Sequence, residues 1–251
     1  MMDKVKILMI IDTLDYGGAP KMFTMLANYL SKKETYKVGV IGYFDSTYHY
    51  KFEDEIVCYP SIKKGKNKYL NYIHVYKYIK KLKRIFSPNI IISFMPNPNI
   101  LSILSGFFSS TKIIISERGD PSVYKGVKYR LKYFLYNFSD LLVCQTEEIK
   151  SEFSKSLQKK ITIIPNPIEN KYSFTLDNRT NIITSVGRLQ IDQKRQDILL
   201  YAFKKLCHEY ENYNLNIYGD GPDLYKLQEI TTFLGLDKKV FFAGKITNIP
   251  Q

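Results

Sequence analysis

Two short stretches carry the residue types that can hold a diphosphate. In the first, the apolar run Ile182 to Val186 ends at Gly187, and Arg188 and Lys194 flank the start of a helix-patterned segment with Ile198, Leu199, Ala202, Phe203 and Leu206 on its apolar face. Two cations and the free N–H groups of a first helical turn, aimed at one point, suit an anion. In the second, Gly219, Asp220, Gly221 and Pro222 stand between a strand pattern at Leu215 to Tyr218 and a helix pattern from Asp223. Glycine lets the main chain approach a ligand closely, and proline suits a first helical turn. Singly, Arg188 or Lys194 reads as a solvated cation beside an ordinary βα turn; their order and spacing together point to phosphate binding.

Such loops need strands to end beneath them and helices to start beyond them, and the chain alternates these patterns throughout. Val5 to Ile11 is a continuous apolar run of the kind a parallel sheet buries on both faces. The segment Asp12 to Pro20 follows as a loop containing Gly17 and Gly18, then a helix with Met22, Phe23, Leu26, Ala27 and Leu30 inward. Strand patterns recur at Val38 to Ile41, Ile56 to Tyr59, Ile90 to Phe94, Lys112 to Ser116, Leu141 to Cys144 and Ile161 to Ile164. Helix patterns lie at Tyr69 to Phe86, Ile100 to Phe108, Val123 to Phe138 and Glu147 to Ser156, with Met95 to Asn99 read as a loop. The stripe expected to pack on the first of these helices is Tyr69, Tyr72, Ile73, Tyr76, Ile79, Leu82 and Phe86. Directly after the strand at Lys112 to Ser116 stand Glu117, Arg118 and Asp120, where ligands of open α/β sheets bind. These three are candidates for the cleft, with local ion pairing as the alternative.

Residues 182 to 251 repeat strand, helix, strand, helix, strand, ending with Val240 to Phe242 and Gly244. The expected division is a Rossmann-like domain over residues 1–168, a polar linker over 169–181 and half of a second doubly wound domain over 182–251.

The quoted residues resemble the retaining, nucleotide-sugar-dependent glycosyltransferases of family four, which have the GT-B fold. The resemblance rests on G-R-L at Gly187 to Leu189, a lysine six residues after the arginine, the A-F-K-K-L helix, Y-G-D-G-P at Tyr218 to Pro222, V-F-F-A-G at Val240 to Gly244, and Pro165 to Ile168 at the exit of the first domain. It implies that Arg188 and Lys194 grip the donor diphosphate, that Gly187, Gly219, Gly221 and Gly244 belong to the donor site, and that Gly17 and Gly18 match the family's glycine pair near the donor phosphates. It implies a nucleotide-sugar donor, a glycan or lipid-linked acceptor, surface polysaccharide synthesis and no metal or other cofactor. The family's pair of glutamates, with seven residues between them, lies well beyond the F-F-A-G-like segment, and the chain stops at Gln251 before any such motif. The second domain is therefore expected to be incomplete, with a separate polypeptide or a non-catalytic scaffold role as the alternatives.

Composition narrows the partners. Of the 37 Lys+Arg and 24 Asp+Glu, residues 1–180 hold 28 and 16, and residues 181–251 hold 9 and 8. No acidic residue occurs between Glu55 and Glu117, although ten lysines and arginines do. The basic, aromatic helices at Tyr69 to Phe86 and Val123 to Phe138 are candidates for contact with an anionic membrane surface. Nucleic acid is disfavoured, because charge alone supports it and no binding motif accompanies the charge. Cys58, Cys144 and Cys207 are widely spaced and form neither a disulfide framework nor a zinc pattern, which fits a reducing cytoplasm. His49 and His74 lack a metal or acid-base partner nearby in sequence. No signal-peptide or membrane-spanning pattern is found.

Overall fold

The computed structural model of the chain describes residues 3–15, 17–44, 49–119, 121, 126–167 and 180–245, without the side chain of residue 128. It divides into two compact units, residues 1–168 and 169–251.

The first unit runs β1 (Val5–Ile11), α1 (Gly18–Ser31), β2 (Tyr36–Gly42), β3 (Val57–Cys58), α2 (Lys68–Phe86), β4 (Ile90–Phe94), α3 (Pro96–Gly106), β5 (Lys112–Ser116), α4 (Val127–Tyr136), β6 (Leu141–Cys144), α5 (Glu147–Ser151), α6 (Lys155–Gln158) and β7 (Ile161–Ile163). Its seven strands lie in the order β3-β2-β1-β4-β5-β6-β7, and every neighbouring pair is parallel. Strand order reverses at β1 and β4, the switch point of a doubly wound sheet. The continuous apolar run of β1 follows from its place at the centre: Leu8 and Ile10 enter one core with α2 and the buried Tyr136 of α4, while Ile7, Met9 and Ile11 enter the other with Phe23 and Ala27 of α1.

Several local expectations shift. The Met95 to Asn99 segment is helical from Pro96 onward, because prolines at the first and third helical positions lack only N–H groups that have no intrahelical partner there. The segment read as one helix from Glu147 is two short ones, each begun by its own cap: Thr146 accepts from the Ile149 amide and Ser154 from the Leu157 amide. The third strand shrinks to Val57 and Cys58. On α2 the buried line is Asn71, Val75, Ile79, Leu82 and Phe86. Tyr69 and Ile73, expected inside, are 81% and 49% exposed, so this helix is rotated towards Val75 and presents apolar side chains outward.

The second unit contains β8 (Ile182–Val186), α7 (Ile191–Lys194), α8 (Gln196–Glu209), β9 (Asn214–Tyr218), α9 (Leu224–Phe233) and β10 (Val240–Gly244). Its three parallel strands are ordered β10-β9-β8. Leu215, Ile217 and Val240 pack against Leu200 and Phe203 of α8 and Leu227 of α9. The alternate strand positions face the other way, where Ile182, Val186 and Phe241 are about half exposed among the described residues. On α8 the inward line is Gln196, Leu200 and Phe203, in steps of four and three; Ile198 and Ala202, expected inward, are exposed. Arg195, in the left-handed conformation at φ 50°, separates α7 from α8 and sets this register.

Candidate functional site

In the second unit the loops leaving β8, β9 and β10 are stitched together at the carboxyl end of the sheet. The Gly187 amide donates to the Tyr218 carbonyl at 3.0 Å, the Leu189 amide to the Asp220 carbonyl at 3.0 Å, and the Gly219 amide to the Gly244 carbonyl at 2.8 Å. Gly187, Gly219, Gly221 and Gly244 thus belong to one loop cluster. Two of these positions tolerate nothing larger. A Cβ on Gly219, which has φ 140°, would run into the Gly187 carbonyl oxygen, and one on Gly221 into the Leu189 carbonyl oxygen. The two glycines thus let the loop after β9 lie directly against the main chain of the loop after β8.

Two residues that pattern reading passed over lock the cluster. The Asp223 carboxylate does not cap its own helix α9; it accepts from the Ile191 amide at 2.7 Å, joining the start of α7 to the loop after β9. Gln196, 3% exposed, donates its side-chain amide to the Arg188 carbonyl at 2.8 Å and so fixes the backbone of the arginine itself. An acidic residue at a helix start signals only a local cap, so the long-range bond from Asp223 had no sequence signature.

Arg188 and Lys194 are both exposed. Among the described residues neither side chain has a hydrogen-bond or ion-pair partner, whereas the neighbouring Arg195 is committed to Asp197 through bonds of 3.1 and 2.9 Å. The expectation that Arg188 and Lys194 flank the start of the long helix is corrected in one respect. Lys194 is the last residue of the four-residue α7, and the long helix begins two residues later at Gln196.

In the first unit, Gly18 opens α1 with Gly17 as its cap residue, directly beyond the carboxyl end of β1 at the switch point. A Cβ at Gly18 would meet nothing within 4 Å, so this surface is open. Met95, at the end of β4, holds φ 80°, an uncommon conformation for a residue other than glycine, at the same edge of the sheet. Burial raises the pKa of Asp12, just after β1, although the Thr13 amide bonds to its carboxylate at 3.0 Å.

Glu117, a candidate for the cleft with ion pairing as the alternative, lies inside, 1% exposed, and is ion-paired. Its Oε2 accepts from Lys132 Nζ at 3.2 Å and from the Tyr136 hydroxyl at 2.8 Å, while Oε1 accepts from the Gly119 amide at 3.3 Å. Asn99 extends the network, donating to Tyr136 Oη at 3.2 Å and the Ser116 carbonyl at 3.0 Å and accepting from Ser93 Oγ at 2.8 Å. Burial and the adjacent Glu117 charge push the Tyr136 phenol well above its ordinary pKa, so it stays a donor. Lys132, counted by sequence among the surface cations of α4, points into this network at 6% exposure. Glu117 therefore holds the turn at Gly119 from below. Arg118 is half-buried, stacked 4.5 Å over the Phe94 ring and bonded to the Asn166 side chain at 2.5 Å. Burial lowers its pKa. Asp120 lies outside the described residues, as does most of the expected linker.

Comparison with known proteins agrees with this architecture. Residues 16–171 match the family described as Glycosyltransferase Family 4, and residues 168–251 match Glycosyl transferases group 1. An uncharacterized glycosyltransferase of Methanocaldococcus jannaschii is 29% identical over 99% of this chain and 66% of its own length. The Campylobacter jejuni GalNAc-alpha-(1->4)-GalNAc-alpha-(1->3)-diNAcBac-PP-undecaprenol alpha-1,4-N-acetyl-D-galactosaminyltransferase is 27% identical over 98% of this chain and 69% of its own. The chain thus spans about two thirds of the length of these relatives. Among solved structures, Anabaena HepE in complex with UDP superposes with a TM-score of 0.72 at 16% identity, covering 96% of this chain and 70% of that one. Parallel sheets with glycine loops at their carboxyl ends, together with these matches, place the chain in the glycosyltransferases, with a Glycosyltransferase Family 4 segment followed by a Glycosyl transferases group 1 segment.

Proposed function

We propose that the chain binds a nucleotide-sugar donor through its second unit and takes part in transferring the sugar, with retention, to a glycan or lipid-linked acceptor during surface polysaccharide synthesis. The observation that carries this reading is the loop cluster at Gly187, Gly219, Gly221 and Gly244, beside two exposed cations without partners among the described residues. Arg188 and Lys194 hold the donor diphosphate and offset the charge that develops on the leaving phosphate, while the acceptor hydroxyl attacks from the same face. No metal is assigned a role, because two cationic side chains can meet the same electrostatic demand. The amides of Gly187, Gly219 and Gly221 stay bonded within the cluster, which makes the loops a rigid platform beside the two cations, and Asp223 and Gln196 keep their spacing. In the first unit Gly17 and Gly18, after β1, and Arg118, after β5, are the residues proposed to contact substrate. A lipid-linked acceptor is supported by the name of the Campylobacter relative, and a uridine nucleotide by the UDP in the Anabaena complex.

Titration calorimetry with UDP and a panel of nucleotide sugars tests the assignment. Arg188→Ala and Lys194→Ala should each weaken diphosphate binding by about 1.5 to 3 kcal/mol, roughly ten- to hundredfold, the worth of a charge-assisted contact. Unchanged affinity in both variants would refute it.

A further inference from the structure

We propose that the edge of the first unit formed by the C-terminal ends of α2, α3 and α4 is a docking surface for the anionic headgroup layer of a lipid bilayer. Its apolar part is a connected row of phenylalanines. Phe107 lies 5.4 Å from Phe138 between ring centroids, Phe138 lies 5.6 Å from Phe134, and Phe108 adjoins Phe107 at 6.4 Å. All four are 40% or more exposed, and Phe108 is fully so. Phe108 also holds φ 60°, which a bulky residue rarely adopts, so the chain presents this ring outward against its own conformational preference. Leu131 extends the row along α4. A contiguous aromatic patch of this kind marks an interaction surface.

The partner's chemistry follows from what borders the patch. Phe107 and Phe108 form one wall of a groove of about 920 Å³ whose other walls carry Lys80, Lys83, Arg84 and Lys112. Lys83 is turned to the Ser105 carbonyl and Ser109 hydroxyl, and Lys112 is paired with Asp140. Lys80 and Arg84 remain exposed at the rim. No acidic residue occurs anywhere from 56 to 116. A second copy of the chain would bring a like-charged rim against this one, whereas phosphate headgroups complement it and the acyl boundary receives the rings. Val5, Ile90 and Lys112, the first residues of β1, β4 and β5, line the same groove. Docking therefore uses the amino end of the sheet and leaves the carboxyl end, with Gly17, Gly18 and Arg118, open. The surface draws on both helices that composition marked for membrane contact, α2 through Lys80 and Arg84 and the α4 segment through Leu131, Phe134 and Phe138, adds Phe107 and Phe108 after α3, and stands independently of the donor chemistry.

The test is co-sedimentation of the full chain with phosphatidylcholine vesicles that contain or lack phosphatidylglycerol. Binding should require phosphatidylglycerol and fade as salt rises, since exposed charges are screened. Neutralising both rim cations, in Lys80→Gln with Arg84→Gln, should weaken it about thirtyfold. Phe107→Ser with Phe108→Ser should abolish it, with the melting temperature checked in each variant. Hydrogen exchange of the unaltered chain should slow over residues 104–110 and 131–138 when such vesicles are added. No sedimentation at low salt, binding that ignores lipid charge, unaltered binding by both double variants, or a dimer in sedimentation velocity that Phe134→Ser with Phe138→Ser dissolves would each overturn the proposal.

Discussion

Removing either partner of the buried Glu117–Lys132 pair should cost stability far beyond the worth of a surface ion pair, and removing both should cost much less than the sum. The two side chains are almost wholly sequestered, at 1% and 6% exposure, so neither can turn to water for compensation. In Lys132→Met the Glu117 carboxylate keeps the Tyr136 hydroxyl at 2.8 Å and the Gly119 amide at 3.3 Å but loses the ammonium at 3.2 Å. In Glu117→Gln the Lys132 ammonium keeps the Tyr133 ring, 4.2 Å from its centroid, but loses this carboxylate. Each single removal should cost roughly 3 to 5 kcal/mol, the loss expected when one member of a buried pair is taken away, whereas an exposed pair is worth at most about 1 kcal/mol. Urea unfolding followed by far-ultraviolet circular dichroism measures both, and the double variant Glu117→Gln with Lys132→Met should recover much of the loss. Single-variant losses that are both below about 1 kcal/mol, or a double variant whose loss equals their sum, would refute the burial argument.

Two further outcomes follow from local geometry. Gly219→Ala should destabilise the second unit by about 2 kcal/mol or more and remove nucleotide binding, because the new methyl meets the Gly187 carbonyl oxygen and φ 140° is strained for alanine; thermal melting with calorimetry reads both. Burial by itself would raise the pKa of Asp140, but the Ile113 amide at 2.8 Å and Lys112 at 2.9 Å outweigh it and leave the carboxyl below its ordinary range. Asp140→Asn should therefore cost up to about 1 kcal/mol at neutral pH, discounted for the partly exposed pair, and the deficit should disappear as pH falls below about 3.9 through the depressed folded value. A deficit that persists at pH 2 would show that charge is not its origin.

The sheet was readable from sequence because its central strands bury both faces, and a run such as Val5 to Ile11 has no other home than a covered parallel sheet. Helix rotation was less readable. On α2, tyrosine and lysine alternate so closely that several stripes satisfy the same spacing, and packing chose the one through Val75. On α8 the choice turned on a single left-handed residue, Arg195, which no periodicity announces. Glycines were legible in position but not in consequence: G-D-G-P suggests a tight turn, while only the fold reveals that Gly219 and Gly221 press against the carbonyl oxygens of the loop after β8.

The charged residues divide on the same principle. A sequence shows a charge but not its counter-charge, so Glu117 and Lys132, fifteen residues apart, read as a cleft acid and a surface base, although they neutralise each other inside the first unit. Arg188 and Lys194 looked no different from Arg195 and Asp197 along the chain. What separates them is that Arg195 spends its guanidinium on a carboxylate two residues away, while Arg188 has its backbone fixed by Gln196 and its side chain left exposed without a described partner. A cation whose main chain is locked and whose side chain is uncommitted meets a ligand with little left to organise, because the backbone ordering has already been supplied by folding. That contrast between fixed backbone and uncommitted charge, beyond its place in a motif, is what supports the proposed diphosphate role of Arg188.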